Sequence, residues 1–429
     1  MQTKNVQTIT PTFTPYQKFM IAILALLQFT VVLDFMVLSP LGDVLMKSLD
    51  ISPKQFGAVV SAYAFSAGIS GILAAGFADK FDRKKILMFF YVGFIAGTVF
   101  CAMAPNYHAL LIARIITGIF GGVISAISMA IVADVFAMNQ RGRVMGFIQM
   151  SFAASQVLGI PIGLYLSNMW GWHAPFFMIV GFGSLVGIFA LIKIKPVTEH
   201  LKLQSGNSFF VHLWHTVRNR KYRIGFLATA LLSTGGFMMM PFGSAFLVNN
   251  VGITNEQLPL IFMITGLGSI IIMPLVGKFS DKIDKYKIFA IGSLWAMVMV
   301  VVYTHLPIVP LWLVIVVNVI LFMGIMSRII PATALVSAIP EMKDRGAFMS
   351  INSSLQQMAG GIASAFAGMI VVQQTKHSPL EHYDTLGFIV VILMAVCIYM
   401  IYRVSKVVKN KLTTDNNTIK MEEKILIVE

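Results

Sequence analysis

The sequence has little charge and almost no cysteine. Asp, Glu, Lys and Arg make up 12% of its 429 residues, about half the share of an ordinary soluble domain. A folded soluble chain needs that charge to cover its surface. Here 57% of residues are hydrophobic instead and mean hydropathy is +0.81, which excludes a soluble enzyme and a disordered chain. The two cysteines, Cys101 and Cys397, lie far apart in apolar runs. They exclude a disulfide scaffold and read as small core- or lipid-facing residues. Acidic residues are scarce, 18 against 32 basic ones, for a net charge of +14. A nucleic-acid binder would gather such an excess on one surface. Here it sits in short segments between apolar runs, so no nucleic-acid partner is expected.

Catalytic signatures are also missing. There is no Gly-x-x-x-x-Gly-Lys-Ser/Thr, His-Glu-x-x-His or Gly-x-Ser-x-Gly. Direct ATP drive, a zinc hydrolase and a serine nucleophile therefore have no residues to carry them. The expectation is no enzyme, no cofactor and no metal. The first apolar run, 18–41, is too long for a secretory leader and has no small-residue cleavage pattern, so it reads as a membrane span.

What is present is a series of apolar runs. A span needs about 20 mainly apolar residues. Twelve runs qualify: 18–41, 55–78, 85–104, 108–135, 144–167, 174–194, 223–249, 258–277, 287–306, 310–339, 346–372 and 386–404. They are continuous rather than alternating, which excludes a β-barrel. The fold class expected is an all-α integral membrane protein. With both termini in the cytoplasm, cytoplasmic segments hold 27 of the 32 Lys and Arg residues. Outer loops hold Lys47, Lys54 and Lys376, and Arg114 and Arg328 fall within spans. This bias sets the orientation and implies a multi-pass protein of the cytoplasmic (inner) membrane. Part of the charge can also attract anionic lipid.

The longest interior loop divides the chain. Residues 1–194 form one six-span bundle, 195–222 a cytoplasmic linker, 223–404 a second bundle, and 405–429 a tail expected to be mobile. In the linker, Phe210, Leu213, Trp214 and Val217 have helical spacing and Arg218, Arg220, Lys221 and Arg223 follow. That pattern predicts a helix on the inner membrane face. His212 and His215 there read as interfacial polar residues.

The two bundles are copies. Asp79-Lys80-Phe81-Asp82-Arg83-Lys84-Lys85-Ile86 recurs 202 residues later as Asp281-Lys282-Ile283-Asp284-Lys285-Tyr286-Lys287-Ile288. Arg141-Gly142 recurs as Arg345-Gly346. Parallel repeats of this kind pack around an axis along the membrane normal and hold substrate between them near the midplane.

These features resemble the major facilitator superfamily over nearly the whole chain. Its loop signature Gly-x-Leu-Ala-Asp-Arg-x-Gly-Arg-Lys is matched by 75–84, with Ala75 and Asp82 in place of the glycines. Arg114 and Gly118 resemble its helix-four signature. Gly159-Ile160-Pro161-Ile162-Gly163 is similar to an antiporter signature with the order changed. Leu33-Asp34-Phe35-Met36 and Pro40 look like the 12-helix drug and arabinose-efflux-like proton antiporters. The resemblance implies two parallel six-helix repeats and transport by alternating access. It also implies an inner gate made of Asp79, Arg83, Lys84 and Asp134, and close helix contact at Gly159, Pro161 and Gly163. Ordinary inner-loop charge is the plainer reading of the gate residues.

Ionisable residues at bilayer depth cost ~2.5–3.5 kcal/mol or more and mark function by default. Asp34 is the one acid well inside a span, about 10 Å from the outer face. Arg114 lies about 9 Å from that face. At one depth in one half the two can pair, as a proton-coupling site or as a purely structural ion pair. Arg328 is about 27 Å from the outer face, three residues before Pro331. It either binds an anionic group of the substrate or caps carbonyls freed by the proline. Gln28, Thr30, Gln149, Gln156, Asn318, Asn352, Gln356 and Gln357 are further polar residues in spans. Of these, Gln28, Gln149, Asn318, Asn352 and Gln356 join Arg328 as cavity candidates. With 28 methionines and 33 phenylalanines, such a cavity would adapt to varied apolar ligands.

The function expected is proton-coupled efflux of a small organic compound (drug, sugar or metabolite), by a monomer, driven by the proton gradient. Proton-coupled uptake is the alternative, and a non-transporting membrane sensor a remote one.

Overall fold

The structure is a computed structural model that describes residues 13–77, 80–198, 201, 209–341 and 344–428. Side chains are described over the same residues except 75–77, 138–139, 142, 209–212, 281 and 412–428. Asp79 and the side chain of His212 fall outside.

The described residues are mainly helical. The first half holds α1 (Pro15–Val37), a short α2 (Gly42–Leu49), α3 (Pro53–Phe77), α4 (Arg83–Ala102), α5 (Tyr107–Val135), α6 (Met138–Ala154), α7 (Ile160–Trp170) and α8 (Ala174–Lys193). α9 (Phe209–Arg218) lies between the halves. The second half holds α10 (Arg220–Met239), α11 (Gly243–Asn249), α12 (Leu258–Lys282), α13 (Lys285–Thr304), α14 (Leu311–Ser337), α15 (Arg345–Ile370) and α16 (Tyr383–Val428). α6 and α7 form one span through a π-turn at Ser155–Gly159, and α10 and α11 form another through a 3₁₀ turn at Met240–Phe242. In lipid each backbone polar group must be satisfied within its own segment, which is why apolar runs of this length become helices.

Among the described residues, eleven helical segments are long and apolar enough to span a bilayer. The twelfth span is α15, 26 residues long, with Ser350, Asn352, Ser353, Ser354, Gln356 and Gln357 along it. Protein contacts hold it on both sides: Ser364 donates to the carbonyl of Phe237 in α10, and Ser61 of α3 donates to the carbonyl of Gly361.

The repeated loop motif has a structural role. Asp82 caps α4 by accepting from the Lys84 amide at 2.9 Å, and Asp284 caps α13 by accepting from the amides of Tyr286 and Lys287. Both satisfy orphan N–H groups at equivalent helix starts. α9 buries Leu213 and Thr216 while Trp214 is 68% exposed, the one-sided pattern of an interfacial helix.

α16 continues without a break to Val428, so the segment beyond Arg403 is a helical extension of the last span. Lys411 Nζ ties the first part of this extension to the second bundle: it donates to the carbonyls of Ala338, Ile339 and Pro340 just past α14. A cation at a helix C-terminus satisfies carbonyls that would otherwise lack donors.

Candidate functional site

Asp34 and Arg114 meet inside the first half. Arg114 Nη1 donates to Asp34 Oδ2 at 2.7 Å, and both side chains are 0% exposed. Thr98 of α4 donates to the other carboxylate oxygen at 3.4 Å. The Tyr63 ring of α3 lies under the guanidinium, 4.4 Å from its carbon to the ring centroid. Such a cation–π contact partly replaces lost hydration. Arg114 Nε and Nη2 find no acceptor among the described residues. The pair is therefore held by one short charge-assisted bond and is under-satisfied for a buried pair.

Local packing puts the groups together. A Cβ at Gly118 would lie 2.5 Å from the Tyr63 carbonyl oxygen. Only glycine lets α5 press this closely on α3, one turn from Arg114. Span five approaches α1 in the same way, since a Cβ at Gly159 would collide with Leu33, beside Asp34. Pro161 has no N–H for the preceding turn, and the π-turn absorbs the mismatch.

Asp34 is linked to the interface between the halves through its neighbour. The Phe35 ring sits 5.3 Å from Tyr63 and 5.6 Å from Phe237 of α10. Phe237 and Met36 line a cavity of about 340 Å³ between the halves. Gln156 and Ile160 close it from span five, and most of the remaining wall comes from the second half. Its size suits a small organic molecule.

The cavity candidates divide. Arg328, Asn318, Asn352 and Gln356 line it, and so does Gln156. Gln28 does not; it exchanges hydrogen bonds with Ser125 and ties α1 to α5. Gln149 is exposed on α6, and Thr30 bonds to the Tyr91 hydroxyl and the Leu27 carbonyl. Gln149, Thr30 and Gln357 are not among the lining residues. Arg328 Nε donates to Ser293 Oγ of α13 at 3.1 Å rather than to a carbonyl freed by Pro331.

At the inner face, Arg83 Nε donates to Asp134 Oδ2 at 3.0 Å and joins the start of α4 to the end of α5. The Lys84 side chain is half-buried, and its amide is the group capped by Asp82. Arg141 closes the end of α5 by donating to the carbonyls of Phe136 and Ala133.

Sequence reasoning missed the outer face. Asp43 of α2 is 1% exposed and accepts from Asn249 Nδ2 at 2.6 Å and Asn255 Nδ2 at 3.3 Å, both in the second half. Lys47 pairs with it at 2.8 Å. Ser244 donates to the Ser39 carbonyl, Asn168 to the Asn255 carbonyl, and Lys376 pairs with Asp50 at 3.1 Å. These contacts join the two halves at the end of the cavity away from the Arg83–Asp134 pair. The only sequence signal was an acid in a short outer segment.

The model for the family described as Major Facilitator Superfamily matches residues 24–364 and 225–422. The MFS-type transporter YceJ of Bacillus subtilis (strain 168) is 25% identical over 81% of this chain and 88% of its own length. A bicyclomycin resistance protein homolog of Haemophilus influenzae is 28% identical over 55% of this chain and 60% of its own. A probable sugar efflux transporter of Helicobacter pylori (strain G27) is 22% identical over 58% and 62%. Among solved structures, an inward-facing, unoccupied bacterial homolog of the human lysosomal transporter Spinster superposes with a TM-score of 0.73. It is 16% identical and covers 93% of this chain and 99% of its own. A D-xylose–proton symporter gives 0.69 at 16% identity, over 88% and 97%.

Proposed function

Because this chain belongs to the major facilitator superfamily of transporters, we propose that it is a secondary active exporter that moves a small organic compound out of the cell in exchange for protons. It acts as a monomer in the cytoplasmic membrane with both termini inside. The placement of 27 of 32 Lys and Arg residues supports that orientation. The resistance and sugar-efflux names of two relatives favour export over uptake.

The observation that carries proton coupling is the fully buried Asp34–Arg114 pair. Protonating Asp34 removes the negative charge that balances Arg114 and leaves a buried cation without its counter-charge, which is costly. Rocking of the halves changes the packing around Phe35 and Tyr63, and with it the access of water to the pair. A proton is then held in one state and released in the other, as exchange requires. Arg83, Lys84 and Asp134, with Asp79, serve as the inner gate, and the Arg83–Asp134 pair supports this by bracing the ends of α4 and α5 that would face the second half. Gly159, Pro161 and Gly163 let span five slide against α1.

The test is pH-gradient-driven flux in proteoliposomes, with gradients of both signs and a panel of dyes and sugars. Wild type should accumulate substrate only with the gradient directed for exchange, and Asp34→Asn should not accumulate it. Accumulation by Asp34→Asn equal to wild type would reject Asp34 as the coupling group. Accumulation only under the reversed gradient would make the protein a symporter.

A further inference from the structure

The cavity carries an unbalanced charge. Arg328 is the one charged side chain among the described residues that line it. It is 4% exposed, and no carboxylate lies within ion-pairing distance of it among the described residues. Its fixed contacts are Ser293 Oγ at 3.1 Å, the Phe289 ring at 5.8 Å and the Cys397 thiol of α16 beside it. None carries a negative charge that offsets a guanidinium at this depth. A buried cation without a counter-charge is costly, so its retention needs an anion from elsewhere.

The contrast with the first half sharpens the point. Arg114 and Arg328 occupy corresponding spans of the two repeats, four and ten. Arg114 has Asp34 as a built-in partner and is sealed from the cavity. Arg328 has no such partner and lines the cavity. The chain therefore holds one arginine for its own carboxylate and one free for a carboxylate that arrives.

Resting on the exporter reading, we infer that the substrate is a small amphipathic organic anion, such as a carboxylate with an apolar body, and that Arg328 binds its charged group. The rest of the wall fits that shape. Met36, Phe237, Phe262, Phe322 and Met326 supply apolar and polarisable surface, and Asn352 adds a buried Oδ1 that has no partner among the described residues, an acceptor for one hydroxyl or amine on the ligand. A cationic drug would meet Arg328 with like charge and no acid in the wall. Exit of an anion and entry of a proton move charge in the same direction, so an inside-negative potential would drive the exchange together with the pH gradient.

Three ligands of one shape test this with the purified full chain: 1-naphthaleneacetate, 1-naphthaleneacetamide and 1-naphthylethylamine. Binding is measured calorimetrically in detergent, and flux in proteoliposomes. The carboxylate should bind about ten-fold or more tightly than the amide, the difference expected for a hydrogen bond to a charged group. Arg328→Gln should erase that preference and Arg328→Lys should keep part of it. Removing an uncompensated buried charge should leave folding intact, and a melting curve of each variant checks this. Asp34→Asn should keep the preference and lose gradient-driven flux. Equal binding of the three ligands, no binding of the carboxylate, or a preference that survives Arg328→Gln would overturn the anion site while leaving transport of another substrate standing. Arg328-dependent binding without any driven flux would keep the anion site and reject the exporter reading. Displacement of the carboxylate by lysophosphatidate in vesicles would place the anion's source in the bilayer. Failure to displace would place it in solution, and both results keep Arg328 as the contact.

Discussion

Asn249 Nδ2 donates to Asp43 Oδ1 at 2.6 Å across the interface between the two halves, and this bond sits at the centre of the outer seal. Asn255 adds a second bond to the same carboxylate. A hydrogen bond to a charged group contributes about 1.5–3 kcal/mol. Asp43→Ala should therefore shift the population toward the outward-open state by about ten-fold or more. A cysteine at Leu247, at the outer part of the cavity wall, reports this through its rate of labelling by an impermeant thiol reagent added outside. Cys101 and Cys397 are buried and leave a quiet background. An unchanged rate would mean that the seal is set by apolar packing.

The ion pair predicts an asymmetry between its partners. Arg114→Ala leaves Asp34 buried alone and should cost about 3–5 kcal/mol of stability. Asp34→Asn combined with Arg114→Gln removes both charges and should recover much of that loss, because the two effects are coupled. The double variant should still fail to accumulate substrate. Melting temperature and driven flux, measured on the same preparations, separate the structural role from the coupling role.

Two glycines should respond in opposite ways to alanine. Gly118→Ala pushes a methyl against the Tyr63 carbonyl and should destabilise by about 1–3 kcal/mol, as overpacking does. Gly146, on α6, has no atom within 4 Å of an added Cβ. Gly146→Ala should stabilise by about 0.5–1 kcal/mol through lost chain entropy. Thermal unfolding in one detergent compares them directly.

The second-half loop should give a small pH effect. Lys409 Nζ lies 2.6 Å from Asp284 Oδ2, and its hydrogen bond holds the Asp284 carboxyl below the usual carboxylate range. The amides of Lys287 and Tyr286 add to this, while partial desolvation opposes it. A lowered value in the folded state means stability is present above the unfolded value of about 3.9 and is lost as pH falls through the folded one. Both side chains are partly exposed, so the effect should stay within about 1 kcal/mol. Asp284→Asn should flatten this part of the stability curve between about pH 5 and pH 2.

The candidate site was only partly legible beforehand. Depth along a span follows from residue counting, and Asp34 and Arg114 could be set at one level because rise per residue is fixed. Whether they touch depends on the rotation and separation of α1 and α5. Those follow from how each helix packs on its neighbours, α5 on α3 at Gly118 and Tyr63, and α1 on span five at Leu33 and Gly159. The same limit applied to Gln28, which shares its span with Asp34 yet is spent on Ser125. It applied to the Asp43 seal too, whose partners lie more than 200 residues away in sequence.

The sequence by itself determined the spans, the repeat and the family, because each rests on local terms. Transfer of apolar residues into lipid adds up residue by residue. Only the tertiary structure decided which charges are paired. It gave Arg114 a carboxylate and, among the described residues, left Arg328 without one, although both are arginines in equivalent spans. It also continued α16 to Val428, where a polar tail was expected to be mobile, with Lys411 bound to the carbonyls past α14. The physical reason is the same in each case. A buried charge or an orphan carbonyl is satisfied by whichever group helix packing brings within about 3 Å, and no local property of the chain encodes that meeting.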